Sequence, residues 1–322
     1  MNWRNLYFPE ITISRRLRSL KVVLALTMLA SVLISAPAWL HNSCNPFIAG
    51  LDNLHPIAEK IMFGFFVLMP LLILFSRKPT VFTVLFLLLA GFLIVADRNR
   101  LQPWFYQYLI MFFVLAFYNW RVDEPKKYTP VLNSLKLCVV LIFVWGGIHK
   151  LNTGFSTSTW PWMISSWNNV LTPGQIQFMH RVGYVIPFVE IFAGIALLFP
   201  TAKRIAIPLL ISVNVLNLML LGPLGQNLNP VLWVYHMGMI FFLYILFAGR
   251  AESKFHQWSF TFQFKPALIV VFVLGILPAI SLFKSRNAIV SDNEKTETVL
   301  PAISQNQVKG LPVSFVTFTA NK

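Results

Sequence analysis

Five polar side chains lie in or at the ends of otherwise apolar stretches of the chain, where charged and amide groups are costly to bury. They are Lys150, Glu190, Asn214, Asn217 and His236. Glu190 is the natural partner for Lys150. A neighbouring carboxylate favours the ammonium form of a lysine, whereas removal from water favours the neutral amine, which can accept a proton. The set therefore predicts general-base chemistry, with Lys150, Glu190 and His236 as candidate catalytic residues and the two asparagines as groups that orient a ligand.

Each of these residues also has a structural explanation. Lysines at helix ends commonly extend towards the membrane interface, which would account for Lys150. Asn214 and Asn217 are three residues apart on one helix face and could hydrogen-bond to another helix. Glu190 is the hardest to explain in this way, because a carboxylate at mid-span does not easily reach water.

The elements that must position these residues are transmembrane helices. Of the 322 residues, 57% are hydrophobic and 11% are charged, whereas soluble domains carry about 25% charged residues. Apolar runs of sufficient length predict an all-α, polytopic membrane bundle of about nine transmembrane helices. The runs fall near 22–40, 57–75, 79–96, 103–119, 131–149, 182–202, 205–222, 229–249 and 266–283.

The net charge of +15 is distributed as membrane topology requires, and this placement argues against a nucleic-acid partner. With the N-terminus inside, every inside connection is basic, while the outside turn at 222–229 carries no charge. The positive-inside rule thus predicts a cytoplasmic N-terminus and an outside C-terminus. The predicted organisation is a basic cytoplasmic segment at 1–21, a transmembrane domain at 22–283 and an extracytoplasmic tail at 284–322.

The first apolar run supports two interpretations. Its basic leader, its apolar core and the tripeptide at 36–38 are similar to those of a cleavable signal peptide. The 21 residues before the run are long for such a leader, which favours a helix that is retained. Cleavage would leave the rest of the predicted topology unchanged.

The two cysteines, Cys44 and Cys138, do not form a C-x-x-C motif. Neither a dithiol redox mechanism within the chain nor a structural zinc site is therefore expected. The absence of an inverted repeat and of paired broken helices also disfavours a transporter.

A second polar group lies in the predicted outside turn between the third and fourth helices, DRNRLQPWFYQY at 97–108. Asp97 can pair with one of the two arginines that follow it, and Trp104 and Gln107 share a helix face. A charged hairpin with an aromatic belt is one explanation. The other is a polar wall on the same outward-facing cavity. On the second view the candidate cofactor-binding residues are Asp97, Gln102, Trp104, Gln107, Asn214 and Asn217.

These stretches resemble the HTTM family, a membrane domain related to vitamin K-dependent gamma-carboxylase, and share elements with DoxX-like proteins. The matching pieces are DRNRLQPWFYQY (97–108), WGGIHKLNTGF (145–155), PFVEIFAGIALLFP (187–200) and GPLGQNLNPVLWVYH (222–236). The combination of G-x-x-K-L, an outer loop and E-x-x-x-G is the most specific part. The resemblance covers residues from about 20 to 283 and implies a multi-pass protein of the bacterial cytoplasmic (inner) membrane.

In the carboxylase branch the lysine of G-x-x-K-L deprotonates vitamin K hydroquinone, and Lys150 holds that position here. The chain departs from this branch in two ways. Tyr106 stands where the carboxylase has a functional histidine, and a short tail replaces the large lumenal domain, so glutamate carboxylation is not what the resemblance implies. DoxX-like relatives point to quinone-linked redox chemistry, and bacterial HTTM relatives include proteins required to mature exported peptide toxins.

Two functions follow from these observations. The first is a membrane enzyme, either a quinone-linked oxidoreductase or a carboxylase-like enzyme, that acts on a quinone or another lipid-soluble substrate with Lys150 as base. The second is a non-enzymatic accessory protein for the maturation or export of a peptide or protein client. In that case the polar residues hold helices together, and the tail and the tryptophan-rich loop with Trp160, Trp162 and Trp167 bind the client. Both functions place the protein in a lipid bilayer, and neither fixes its oligomeric state.

Overall fold

The computed structural model describes residues 12–40, 55–118, 120, 125–248 and 265–279, and these residues form helices and connecting turns without a β-strand. The predicted tail at 284–322, residues 1–11 of the N-terminal segment and Cys44 lie outside the described residues. The helices are α1 (Ile13–Ile34), α2 (Ala36–Leu40), α3 (Pro56–Phe75), α4 (Pro79–Ala96), α5 (Pro103–Leu115), α6 (Pro125–Lys150), α7 (Trp160–Ser165), α8 (Pro173–Ala196), α9 (Lys203–Leu221), α10 (Pro230–Phe247) and α11 (Lys265–Val270). A 3₁₀ turn at Arg98–Arg100 precedes α5, a π-helical turn at Phe155–Thr159 precedes α7, and a second π-helical turn at Val271–Ile276 extends α11.

Within the described residues, seven helices are long and apolar enough to cross a membrane, and two shorter apolar helices, Pro103–Leu115 and Lys265–Ala279, accompany them. Each predicted span falls on one of these nine segments. The prediction of an all-α, polytopic helical bundle is therefore confirmed. We call the end of the bundle that carries Arg16 the inner end and the end that carries Trp39 the outer end, after the predicted topology.

Proline marks the first turn of many of these helices, including α3, α4, α5, α8 and α10. Its missing N–H group is harmless there, because the first N–H groups of a helix have no partner within the helix. Side chains complete several starts: Thr12 accepts from the backbone N–H of Arg15, and Asn229 accepts from that of Val231. These local signals account for the agreement between predicted and observed helix starts at 57, 79, 103 and 229.

Three helix starts lie well before the predicted ones. The sixth predicted span begins at Pro173 rather than at 182, α1 begins at Ile13 rather than at 22, and α6 begins at Pro125 rather than at 131. In all three cases the added turns carry polar or basic residues, which a search for apolar runs excludes. The first helix thus includes part of the segment predicted as a basic cytoplasmic leader.

Aromatic packing holds the outer half of the bundle together. The ring of Trp39 stacks on Phe66 with centroids 5.0 Å apart, and Phe66 stacks on Phe86 at the same distance. Phe105 meets Trp39 edge to face. Four helices, α2 to α5, are joined by this cluster, which positions the turn between α4 and α5.

Candidate functional site

Lys150 and Glu190 form an ion pair inside the bundle, as the sequence predicts. The Nζ atom of Lys150 donates to Oε1 of Glu190 at 2.5 Å. The side chain of Glu190 is 5% exposed and that of Lys150 is 23% exposed. The lysine therefore does not extend away to the membrane surface but turns towards a buried carboxylate.

A glycine on α6 allows this pair to form. A Cβ atom on Gly147 would lie 2.5 Å from the carbonyl oxygen of Pro187 and 2.6 Å from Cγ1 of Ile191, so the backbones of α6 and α8 touch at this point. Small residues permit such close approach between membrane helices. Because Lys150 follows Gly147 by about one turn, the contact brings its side chain within reach of Glu190.

Lys150 is the last residue of α6, and the segment that follows it covers the ion pair. Beyond Lys150 the chain continues outwards, and the ring of Trp160 packs against Gly183 on α8. The indole N–H of Trp160 donates to the carbonyl oxygen of Met179 at 2.8 Å. Met179 is about three turns, or ~16 Å, outward of Glu190 along α8. The segment Phe155–Ser165 thus packs on the outer side of the ion pair.

His236 and Asn214 form a second pair. Nδ1 of His236 and Oδ1 of Asn214 are 3.0 Å apart, and the amide nitrogen of Asn214 donates to the carbonyl oxygen of Leu210 at 2.8 Å. With the amide in this orientation, Nδ1 of a neutral His236 donates the hydrogen bond and Nε2 is left as an acceptor. Lys150 and His236 are close enough to interact electrostatically. The Lys150–Glu190 and His236–Asn214 pairs therefore lie in one region of the bundle.

Gln107 is hydrogen-bonded to Tyr235, a residue that was not among the predicted site residues. The hydroxyl of Tyr235 donates to Oε1 of Gln107 at 2.8 Å, and the carboxylate of Glu190 acts on Tyr235. Tyr235 precedes His236 on α10, so it presents a hydroxyl beside the histidine. The available signal was its position, because a tyrosine one residue before a candidate catalytic histidine lies in the same turn.

The remaining residues of the predicted polar wall have other partners. The guanidinium of Arg100 is buried between Asp97 at 3.8 Å and Glu59 at 3.7 Å, and it also donates to the carbonyl oxygen of Trp39 at 3.2 Å. Asp97 also accepts from the backbone N–H of Asn99 at 3.0 Å. This cluster fastens the turn after α4 to α2 and α3. Glu59 was not among the site residues predicted from the sequence.

Trp104 and Gln102 bond to each other, with the indole N–H donating to Oε1 at 2.6 Å. Among the described residues, no hydrogen bond or ion pair joins Asp97, Gln102 or Trp104 to Lys150. Asn217 is 6% exposed and lies one turn outward of Asn214 on α9. It thus shares the helix face of Asn214, as its spacing predicts.

One buried acceptor in this site has no partner. Oε2 of Glu190 makes no hydrogen bond within the described residues, although the atom is buried. Gly146 lies opposite, where a Cβ atom would be 3.5 Å away. A buried acceptor without a donor costs about 1–3 kcal/mol. The geometry suits a ligand that brings an O–H or N–H group to this oxygen.

We expect Tyr235→Phe to lower the free energy of unfolding by about 0.6 kcal/mol, because hydrogen bonds between membrane helices average that value. Only the bond to Gln107 is removed, since the ring remains. Unfolding of the purified protein in detergent measures the change. Tyr244→Phe, on the same helix but 49% exposed, is the matched control, and an equal effect of both variants would contradict the role of the bond.

Among the described residues, no group of three or more His, Cys, Asp and Glu side chains is arranged to hold a metal ion. No protein-family model, curated protein or solved structure matches the chain. The resemblance to the HTTM family therefore rests on the sequence motifs quoted above.

Proposed function

We propose that this chain is a multi-pass membrane protein of the HTTM type that binds the polar head of a quinone or another lipid-soluble substrate at the Lys150–Glu190 pair. The observation that carries the proposal is the unpartnered Oε2 of Glu190, a buried carboxylate oxygen beside a lysine in a membrane helix. Intramembrane ionisable groups are costly and typically mark substrate or proton pathways.

In this proposal Lys150 is the base. The ammonium of Lys150 first gives a proton to Oε1 of Glu190, 2.5 Å from Nζ, which leaves a neutral amine beside a neutral carboxylic acid. Nζ then accepts the proton of a head-group hydroxyl, which leaves an oxyanion on the substrate beside the new ammonium of Lys150. The total charge of the site is unchanged by the transfer, so the reaction does not create an isolated charge in the membrane.

Three further groups would orient the head group. Nε2 of His236 is an acceptor when Nδ1 donates to Asn214. The Tyr235 hydroxyl, held by Gln107, and the amide of Asn217 complete a polar lining. A quinone fits this set because its ring oxygens need donors and its hydroquinone form needs acceptors, while its chain stays in lipid.

Extraction of the purified protein tests this function. We expect organic extracts of the wild-type protein to contain a quinone or a similar lipid-soluble molecule in near-stoichiometric amount. Glu190→Gln keeps the size of the side chain but removes the charged acceptor. Because a hydrogen bond to a charged group contributes about 1.5–3 kcal/mol, the variant should retain at least tenfold less of the molecule.

Lys60→Ala provides the control, because Lys60 is an exposed lysine at the outer end of α3 and its loss should leave the extracted amount unchanged. A short-chain ubiquinone added to the extracted protein should rebind to the wild type and to Lys60→Ala. If the wild-type protein carries no such molecule but co-purifies with a stable protein partner, the accessory function in peptide or protein maturation replaces this proposal.

A further inference from the structure

A second set of charged side chains is buried at the inner end of the bundle, away from the Lys150–Glu190 pair. Arg16 on α1, Lys136 on α6 and Lys203 at the start of α9 are 4%, 5% and 8% exposed. A buried charge in a membrane helix is costly unless it is paired or hydrogen-bonded. The partners of these three cations are therefore informative.

Arg16 and Lys203 meet at the end of α10. The guanidinium of Arg16 donates to the carbonyl oxygen of Leu246 at 3.0 Å and to that of Ala248 at 2.6 Å. Nζ of Lys203 donates to the carbonyl oxygen of Phe247 at 3.3 Å. Phe247 is the residue between these two acceptors of Arg16, Leu246 and Ala248. The last carbonyls of a helix carry partial negative charge and favour cations. This cap accounts for the burial of two of the three side chains.

Lys136 is not explained in the same way. Within the part of the chain that the structure describes, its ammonium group has no hydrogen bond and no ion pair, although the residue is 95% buried. Among the described residues, the charges that act on it are those of Arg16 and Lys203, both positive. An ammonium has three N–H donors, and no described group accepts a hydrogen bond from any of the three.

The position of Lys136 places this group at the inner helix ends. It lies about three turns, or ~16 Å, from the start of α6, while Arg16 is in the first turn of α1 and Lys203 is the first residue of α9. Helix α6 thus extends inwards past the other two, and Lys136 projects at the level where they begin. In the predicted topology this is the boundary of the cytoplasmic leaflet.

We propose that Lys136, together with Arg16 and Lys203, forms a binding site for a phosphate group at the inner end of the bundle. A phosphate has several strong acceptor oxygens, which can accept charge-assisted hydrogen bonds from the Lys136 ammonium. It would also be the negatively charged partner that this ammonium does not have among the described residues. Basic pockets between membrane helices on the cytoplasmic side hold lipid head groups through the same chemistry, which a free phosphate also offers.

The test compares lipids that differ in head-group charge. Protein purified in a neutral detergent receives either phosphatidylglycerol or phosphatidylcholine, and native mass spectrometry measures the bound lipid. We expect the wild type to bind phosphatidylglycerol at least tenfold more tightly. Lys136→Met should lose this preference, because it keeps the length of the side chain without its charge. Lys136→Arg should retain most of it.

Lys78→Met removes an exposed lysine at the same end of the bundle and should bind both lipids as the wild type does. Inorganic phosphate is the second probe: if it raises the unfolding temperature of the wild type but not of Lys136→Met, the site also takes a free phosphate. Equal binding of the two lipids with no effect of phosphate would overturn the proposal, and so would a preference for phosphatidylglycerol that survives in Lys136→Met.

If Lys136→Met does not fold, the stability of the wild-type protein with each ligand still tests the proposal. Phosphatidylglycerol or inorganic phosphate must stabilise the wild type relative to phosphatidylcholine alone, and the absence of any difference would overturn the site. A ligand seated here would bridge α1, α6 and α9, so its binding should also slow the unfolding of all three.

Discussion

Gly147→Ala is expected to lower the free energy of unfolding by about 3 kcal/mol, at the upper end of the usual cost of overpacking a tightly packed interior. The added methyl group would lie 2.5 Å from the carbonyl oxygen of Pro187 and 2.6 Å from Cγ1 of Ile191. The first of these atoms belongs to the backbone of α8, so it cannot be avoided by a change of rotamer. The helices α6 and α8 must move apart, and the reach of Lys150 to Glu190 lengthens with them.

Gly146→Ala is the matched control for this prediction. The two glycines are adjacent on one helix, and both gain helix propensity on change to alanine. A Cβ atom on Gly146 would meet its nearest neighbour, Oε2 of Glu190, at 3.5 Å, which is an ordinary contact. Unfolding in detergent should therefore separate the variants by several degrees, and equal stability of the two would show that α6 and α8 are not in backbone contact.

The helices were predictable because apolar runs of membrane-spanning length have few other structural outcomes. Proline at the first turn sharpened several boundaries. Helix α8 shows where prediction from apolar runs fails. Its outer turns, from Pro173 onwards, include His180 and Arg181, and the predicted apolar run begins only after these two residues. Since hydrogen bonding continues regardless of side-chain polarity, a membrane helix can extend well past its apolar part.

The ion pair was predictable for a related reason. A carboxylate within a span is rare and needs a partner, and Lys150 was the obvious cation on a neighbouring span. Contacts such as Tyr235 with Gln107, or Arg100 with Glu59, depend on which helices are neighbours, and periodicity does not encode that. Lys136 shows the same limit, because the sequence gives its charge but not the two cations beside it.

Lys150→Met is expected to destabilise the protein by about 3–5 kcal/mol, because removal of one partner leaves a buried charge uncompensated. Glu190 would keep its carboxylate at 5% exposure with no cation in reach. Glu190→Leu should destabilise to a similar extent by stranding the ammonium of Lys150, although less so because that side chain is 23% exposed. Equilibrium unfolding of both variants in detergent measures the two effects.

The double variant Lys150→Met/Glu190→Leu separates structure from function. Replacement of a buried ion pair by apolar residues of similar volume is often neutral or stabilising, so the double variant should recover most of the lost stability. Under the proposed function it should nevertheless fail to retain a quinone or similar molecule, because both the proposed base and the unpartnered acceptor are gone. A double variant that is stable and still carries the molecule would show that the pair only holds α6 against α8, and a double variant as unstable as Lys150→Met alone would show that the two side chains do not act as a pair.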